Sequence, residues 1–509
     1  MTAASPKPPE RAPAARLLAL HLGLPLLAGA SCVLGFAPFY AWPVPIVAVA
    51  LLVFAWMRSG SALQAGLSGF VFGLGYFLAG VSWVYVSLHV FGSMPAALAA
   101  LATFVFCAYL ALFPAAAGAL AVRLAGASPV RRAAAAAASL ALLEWFRGWL
   151  FTGFPWLNLG TSQVPGSPLA GFAPYLGGYG VSLAVACAGA ALAVAISSRA
   201  WSRHRVLALI ALAALFATGE AGFLREWTQP AGPAVRIGLL QGNVPQQIKW
   251  EEDVRSRTLV DYRRMIFATD APIVIIPETA LPAFLDQLPR DYLESLREHG
   301  RERGKDILIG TVERDTSGEP ARYFNSLVRI TGDTPAAYRK RHLVPFGEFI
   351  PPGFRWVLSV LRIPMSDFAS GRPRQAPIVA AGVPLGVAIC YEDIFGEEVI
   401  DALPQAQILV NVSNDAWFGE SFAADQHLQS SQLRALETGR WMVRATNTGA
   451  SAAIDERGRV VSRLPAFTAG QLVEAVVPRT GMTPYARFGN LPAVALMALL
   501  AALCAFRRP

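Results

Sequence analysis

The sequence predicts two structural classes in one chain: a multi-pass α-helical membrane domain of eight helices, and an α/β layered domain set between the seventh and the eighth. Three observations predict this. The 509 residues are 54% hydrophobic, with a mean hydropathy of +0.43, too apolar for an ordinary soluble protein. Before residue 221 the acids are Glu10, Glu144 and Glu220 alone. From about 234 to 482 the chain is normally charged and mixes strand and helix patterns.

Residues 1–16, rich in Pro and Ala, read as a disordered cytoplasmic N-terminus. A bilayer-crossing helix needs roughly 17 to 25 mainly apolar residues. Eight runs qualify, at about 17–36, 42–57, 64–88, 94–122, 133–151, 174–197, 205–223 and 488–506. Seven make a transmembrane domain over 17–223, the eighth follows at 488–506, and 224–487 lies between them. The first run is too long for a signal peptide and is followed by further spans. Orientation comes from the basic loops: Lys7, Arg11 and Arg16 before the first run, Arg58, Arg123, Arg131 and Arg132, then Arg199, Arg203 and Arg205, and Arg507 and Arg508 at the end. Every second loop is basic and the others carry no charge, which puts both termini in the cytoplasm and 224–487 outside. The net charge of +9 is therefore topological, and no nucleic-acid motif accompanies it.

In the exported region, strands are expected at 235–240, 273–278, 306–312, 323–330, 336–343, 384–390, 408–412, 441–446, 450–455 and 472–477. Helices are expected at 253–268, 291–301, 396–402 and 424–437. Such alternation indicates a layered α/β domain.

Four cysteines (Cys32, Cys107, Cys187, Cys504) lie in apolar runs, whereas Cys390 alone sits in the polar region, at the end of a strand. With one cysteine, that region can form no internal disulfide. Two other strands end in Glu278 and Lys340. A thiol attacks as its thiolate and needs a base or a positive field beside it. Glu278 can take the proton, and Lys340 can stabilise the thiolate and a tetrahedral oxyanion. A buried structural cysteine and solvated charges at strand ends are the plainer alternatives.

The flanking residues go further. Gln241-Gly242-Asn243-Val244-Pro245-Gln246 with Lys249-Trp250, Pro277-Glu278-Thr279-Ala280, the run from Tyr338 to Glu348, Cys390-Tyr391-Glu392, and the run from Asn411 to Gly419 together resemble the apolipoprotein N-acyltransferase family, the membrane branch of the nitrilase superfamily. Glu144-Trp145-Phe146-Arg147-Gly148-Trp149 and Phe154-Pro155-Trp156-Leu157 resemble its membrane half. The resemblance implies a nitrilase-like αββα sandwich, with Glu278 as base, Lys340 as oxyanion support and Cys390 as nucleophile. It also implies a supporting acid at Glu348 and supporting or substrate-binding roles for Tyr391, Glu392, Trp250 and Trp417. The implied reaction moves an acyl chain from a phospholipid, typically phosphatidylethanolamine, to a diacylated apolipoprotein acceptor at the bacterial inner membrane, with the catalytic domain periplasmic.

Two rivals use the same residues: a membrane-tethered nitrilase-type amidohydrolase, and a non-catalytic lipoprotein-binding scaffold. Six histidines without ligand spacing predict no metal, and no phosphate-cradling loop or other cofactor motif is present. Glu144 and Arg147, three apart, share a helix face and can pair. The apolar insertion 349–365 is expected to be a lipid-touching lid, with Trp356, Val357, Val360, Leu361 and Ile363 on one face and Arg355 and Arg362 toward headgroups. The alternating basic loops yield a direct test: a fusion reporter at position 300 should report an extracytoplasmic location, and a cytoplasmic signal there would reverse the scheme.

Overall fold

The computed structural model describes residues 19–332, 336–351, 353 and 367–506. The expected disordered terminus, the lid residues from Arg355 to Ile363, and Arg507 and Arg508 lie outside these.

Four of the apolar runs form helices long and apolar enough to cross a membrane: Ala62–Gly80, Ala96–Ala125, Pro168–Ser197 and Arg203–Gly222. Three more form shorter apolar helices, Ala19–Gly35, Pro43–Met57 and Leu491–Phe506. The run expected at 133–151 folds as Pro129–Arg147, whose ends carry Arg131, Arg132, Glu144 and Arg147. Serines start several of these helices. Ser61 accepts from the Gln64 N–H and Ser128 from the Arg131 N–H, each occupying a backbone donor that the first turn leaves free. Small residues let the helices close up: a Cβ on Gly69 would stand 2.2 Å from the Pro114 carbonyl oxygen of the facing helix.

Among the described residues, the 228–481 region contains fourteen strands. A short antiparallel pair, β1 (Thr228–Pro230) and β14 (Arg479–Gly481), closes its base. One six-stranded sheet has the order β13-β2-β3-β4-β5-β6, from Gly470–Val476, Val235–Gln241, Ile273–Ile276, Asp306–Asp315, Arg322–Arg329 and Ala336–Arg339. The other has the order β12-β11-β10-β9-β8-β7, from Val460–Arg463, Ala452–Ile454, Met442–Thr446, Ile408–Ser413, Val383–Ile389 and Ile378–Ala380. Alternate residues Ile237, Leu239, Ile273 and Ile275 of the first sheet meet Leu385, Val387, Ile389, Val410 and Val412 of the second in one apolar layer. The opposite face of the first sheet is covered by Glu252–Ala268 and Arg290–Arg303 through Tyr262, Ile266, Tyr292 and Leu296. Ala423–Thr438 covers the second through Leu428 and Ala435. This is an αββα sandwich.

In both sheets the central strands are parallel, β2-β3-β4 in one and β8-β9-β10 in the other. Both buried faces explain why these strands read as continuous apolar runs. Glu278 and Cys390 lie just past the carboxyl ends of β3 and β8, while Lys340 follows the antiparallel edge strand β6. Expected elements shift: β3 ends at Ile276 instead of Glu278 and β6 at Arg339 instead of Leu343, so Glu278 and Lys340 stand just past their strands, and the short strands β1, β7, β12 and β14 appear where no pattern announced them.

Ala423–Thr438 has a second role. Its Ala423, Leu433 and Leu436 enter the apolar core of the helical half, while Gln426 accepts from Trp156 Nε1 at 2.7 Å and Gln429 accepts from the Ala37 N–H at 2.9 Å.

Gly310 of β4 shows how closely the sandwich is built around Glu278. A Cβ there would stand 2.1 Å from the Pro277 carbonyl oxygen and 2.7 Å from Glu278 Cα. Gly310→Ala should therefore cost about 1–3 kcal/mol of stability through overpacking and lower activity with it. Gly318→Ala, at a position with open space around its Cβ, should leave the melting temperature unchanged.

Candidate active site

Glu278 follows β3 across Pro277 and is buried. Its Oε1 accepts from Asn325 Nδ2 at 2.6 Å and its Oε2 from the backbone N–H of Asn414 at 2.8 Å. Lys340 begins where β6 stops, its N–H donating to the Asn325 carbonyl at 2.7 Å. Its side chain is 1% exposed, and Nζ lies 2.8 Å from Glu348 Oε2 and 3.6 Å from Glu278 Oε1. Asn325 of β5 also donates to Glu348 Oε1 at 3.0 Å. One amide thus spaces two carboxylates around one ammonium. Burial alone would lower the Lys340 ammonium, but Glu348, the Cys390 sulfur and Glu278 together hold it well above its usual range. It remains charged at any working pH.

Cys390 directly follows β8, with a φ of +54° in the left-handed region, a conformation uncommon outside glycine and asparagine. That turn lifts the thiol off the strand. Its carbonyl accepts from Asn411 Nδ2 at 3.1 Å and from His427 Nε2 at 3.2 Å. Burial pushes the thiol well above its usual value and Glu278 adds to this, while Lys340 opposes it. A thiol so placed rests protonated, and forming the nucleophile requires a proton acceptor within the site.

The two strand ends that carry Lys340 and Cys390 are tied together by Glu392. Its Oε1 accepts from the N–H of Arg341 at 2.6 Å, from the N–H of His342 at 3.1 Å and from Tyr338 OH at 3.2 Å; its Oε2 accepts from the N–H of Ile389 at 2.6 Å. Burial raises this carboxyl to about 7, against the pull of those backbone donors. Tyr391 faces the opposite way. Its hydroxyl donates to the Gly153 carbonyl at 3.1 Å, and its ring stacks on Phe154 with centroids 6.4 Å apart, so the residue beside the thiol is anchored in the helical half.

The structure brings Glu278, Lys340, Cys390, Glu348, Tyr391 and Glu392 into one neighbourhood. Trp417 lies at the seam between halves, its carbonyl accepting from Ser87 Oγ at 2.8 Å and its ring meeting Phe91. Trp250 is 45% exposed on the turn before the 252–268 helix, and among the described residues no hydrogen bond joins either indole to Glu278, Lys340 or Cys390. Glu144 and Arg147 face each other at 3.9 Å. They hold the 153–159 loop, Arg147 donating to the Trp156 carbonyl at 2.8 Å and Glu144 accepting from the Leu159 N–H at 2.9 Å. No group of His, Cys, Asp and Glu that could hold a metal is present among the described residues.

The residue patterns gave no role to two neighbours. Asn325 sits mid-strand, where nothing marks an asparagine as a spacer. Lys249, 1% exposed, donates to Thr279 Oγ1 at 3.2 Å, and burial lowers its ammonium to about 8 against the opposing charge of Glu278.

Comparison with known proteins now decides the family. Residues 28–191 match the family model described as the apolipoprotein N-acyltransferase N-terminal domain, and residues 236–487 match that of the carbon-nitrogen hydrolases. The apolipoprotein N-acyltransferase of Nitrosomonas europaea is 49% identical over 93% of this chain and 94% of its own. The chain belongs to the apolipoprotein N-acyltransferase family. Those of Methylococcus capsulatus and Ralstonia nicotianae are 45% and 42% identical, over 95% and 98% of this chain and 96% of each of theirs. Membership of this family makes the chain an acyltransferase of the nitrilase superfamily and a membrane protein.

For this acyltransferase the Glu392 bridge is testable. Measured at pH 8, above the raised range of this carboxyl, Glu392→Gln keeps the shape but removes the charge that accepts three backbone donors. With a charge-assisted hydrogen bond worth about 1.5–3 kcal/mol, the turnover number should fall roughly 10- to 100-fold. Activity within twofold of wild type would show that the bridge is not needed.

Proposed function

We propose that this chain transfers a fatty acyl chain from a phospholipid to the α-amino group of the diacylglyceryl-modified N-terminal cysteine of an apolipoprotein, through a thioester on Cys390. The observation that carries this reading is the placement of the half-buried Cys390, whose thiol rests protonated, within electrostatic reach of a hydrogen-bonded carboxylate and a charged ammonium. Glu278 takes the Sγ proton as sulfur attacks the ester carbonyl of the donor. The oxyanion forms beside Lys340, which Glu348 and Asn325 hold in place. Collapse breaks the C–O bond, and the departing alkoxide of the lysophospholipid takes the proton back from Glu278. The acceptor amine then attacks the thioester and gives its proton to Glu278, which returns it to sulfur as the amide forms.

The names of the relatives favour acyl transfer to an amine over an amidohydrolase or a non-catalytic scaffold. Phosphatidylethanolamine is the donor we favour, and Trp250 and Trp417 are assigned to the path by which lipid chains reach the thiol. We assign eight spans, both termini in the cytoplasm and a periplasmic catalytic domain over 224–487 at the inner membrane. Two lipid substrates that leave the bilayer only at about 0.8 kcal/mol per exposed methylene explain why the enzyme is anchored there.

Because a single thiol holds the acyl group between donor and acceptor, the kinetics should be ping-pong. Mixing enzyme with phospholipid alone should release close to one equivalent of lysophospholipid per enzyme in a burst, before any acceptor is added. Release that depends strictly on acceptor would favour direct transfer.

A further inference from the structure

Beneath the Cys390 turn lies a sealed ionic cluster that the reaction as written does not use. His427, on the helix Ala423–Thr438, is 1% exposed. Its Nε2 lies 2.7 Å from Asp393 Oδ1 and 3.2 Å from the Cys390 carbonyl oxygen, and its Nδ1 lies 3.1 Å from Asp415 Oδ1. Arg444 of β10 donates to Asp393 Oδ2 and to Asp415 Oδ2, each at 3.0 Å, and its Nη2 stands 3.2 Å from His427 Nδ1. Ser431 donates to Asp393, Ser413 donates to Asp415 at 2.6 Å, and the indole of Trp156 from the helical half packs against the imidazole with centroids 5.5 Å apart.

Charge decides the state of the ring. Two carboxylates and one guanidinium sum to minus one, and all three groups are closed to water. A neutral imidazole accepting from Arg444 would leave that charge uncompensated, at a cost of several kcal/mol, directly under a thiol that must ionise. With both ring nitrogens protonated, each faces a carboxylate oxygen and the cluster is neutral. The carboxylates raise the ring above its usual value, against burial and Arg444, which lower it.

The position of the ring matters as much as its charge. Asp393 belongs to the same turn as Cys390, whose left-handed backbone needs external support. Asp415 adjoins Asn414, whose N–H holds Oε2 of Glu278. One imidazole therefore touches both the turn that aims the thiol and the turn that aims the carboxylate. We propose that His427, as an imidazolium, is a positioning residue for acyl transfer, fixing the Cys390 turn against the Asn414 turn so that thiol and base meet in register. This rests on reading Cys390 as the acyl carrier.

The test combines a direct observation with two variants. Nitrogen NMR of ¹⁵N-histidine-labelled wild type in detergent should show one ring still doubly protonated at about pH 8, where an ordinary histidine is neutral; its absence overturns the proposal. In His427→Gln the turnover number should drop about tenfold or more, the loss of a charge-assisted contact, with the KM for phospholipid unchanged. Asp393→Asn/His427→Gln restores charge balance and should recover part of that loss while remaining below wild type, which a loss of packing alone would not do. If the single variant does not fold, the double variant carries the comparison, and a wild-type turnover number in either overturns the proposal. Failure of wild type to release lysophospholipid without acceptor would instead overturn the acyl-carrier reading, leaving the NMR result to stand by itself.

Discussion

The ammonium of Lys340 is the charge around which the site is organised. A lysine closed off from water is tolerated only if it is paired and its protons are used. Here Glu348 neutralises it at 2.8 Å, Glu278 stands 0.8 Å further off at 3.6 Å, and Asn325 separates the two carboxylates. The unequal distances divide the work. Glu348 is committed to the cation, whereas Glu278 keeps an oxygen near it but takes its main hydrogen bonds from Asn325 and the Asn414 backbone, which leaves it free for the proton exchange with sulfur proposed above.

From that charge outward, each layer fixes the next. Lys340 leaves the sheet because β6 stops early, and the chain beyond it is held by Glu392 to the strand that ends in Cys390. Lys340 and Cys390 follow strands of different sheets, so this carboxylate crosses the sandwich. Tyr391 and the 423–438 helix then fasten the same turn to the helical half through Gly153, Trp156 and Ala37. The 153–159 loop they grip is itself held by Glu144 and Arg147. This coupling holds the Cys390 turn in a fixed position relative to the apolar helices, as the proposed use of lipid substrates requires.

Much of this was legible in the residues. The parallel strands β3 and β8 are continuous apolar runs because both faces are covered, and a charged or nucleophilic residue just past such a run stands at the rim of the sandwich. That pattern located Glu278 and Cys390 without any contact information. Lys340 sits differently from its expected setting: the pattern extended its strand to Leu343, whereas the last pair of that ladder is Arg339 with Ser326. What stayed hidden depends on long-range meeting of ordinary polar residues. Asn325, Lys249, His427 and Arg444 lie in four separate elements and acquire meaning only when the fold brings them together. The helical half was read by hydropathy, which finds apolar length but not exact ends: the 133–151 run folds as Pro129–Arg147, with charge at both ends.

The central claim is a covalent acyl carrier at the end of β8, and intact-protein mass spectrometry tests it most directly. After incubation with a phospholipid of one defined acyl chain and no acceptor, wild type should gain the mass of that acyl group, the increment should vanish on hydroxylamine treatment, and Cys390→Ala should gain nothing. An equal increment on wild type and Cys390→Ala, or none on a wild type that still transfers the chain to acceptor, would contradict the account.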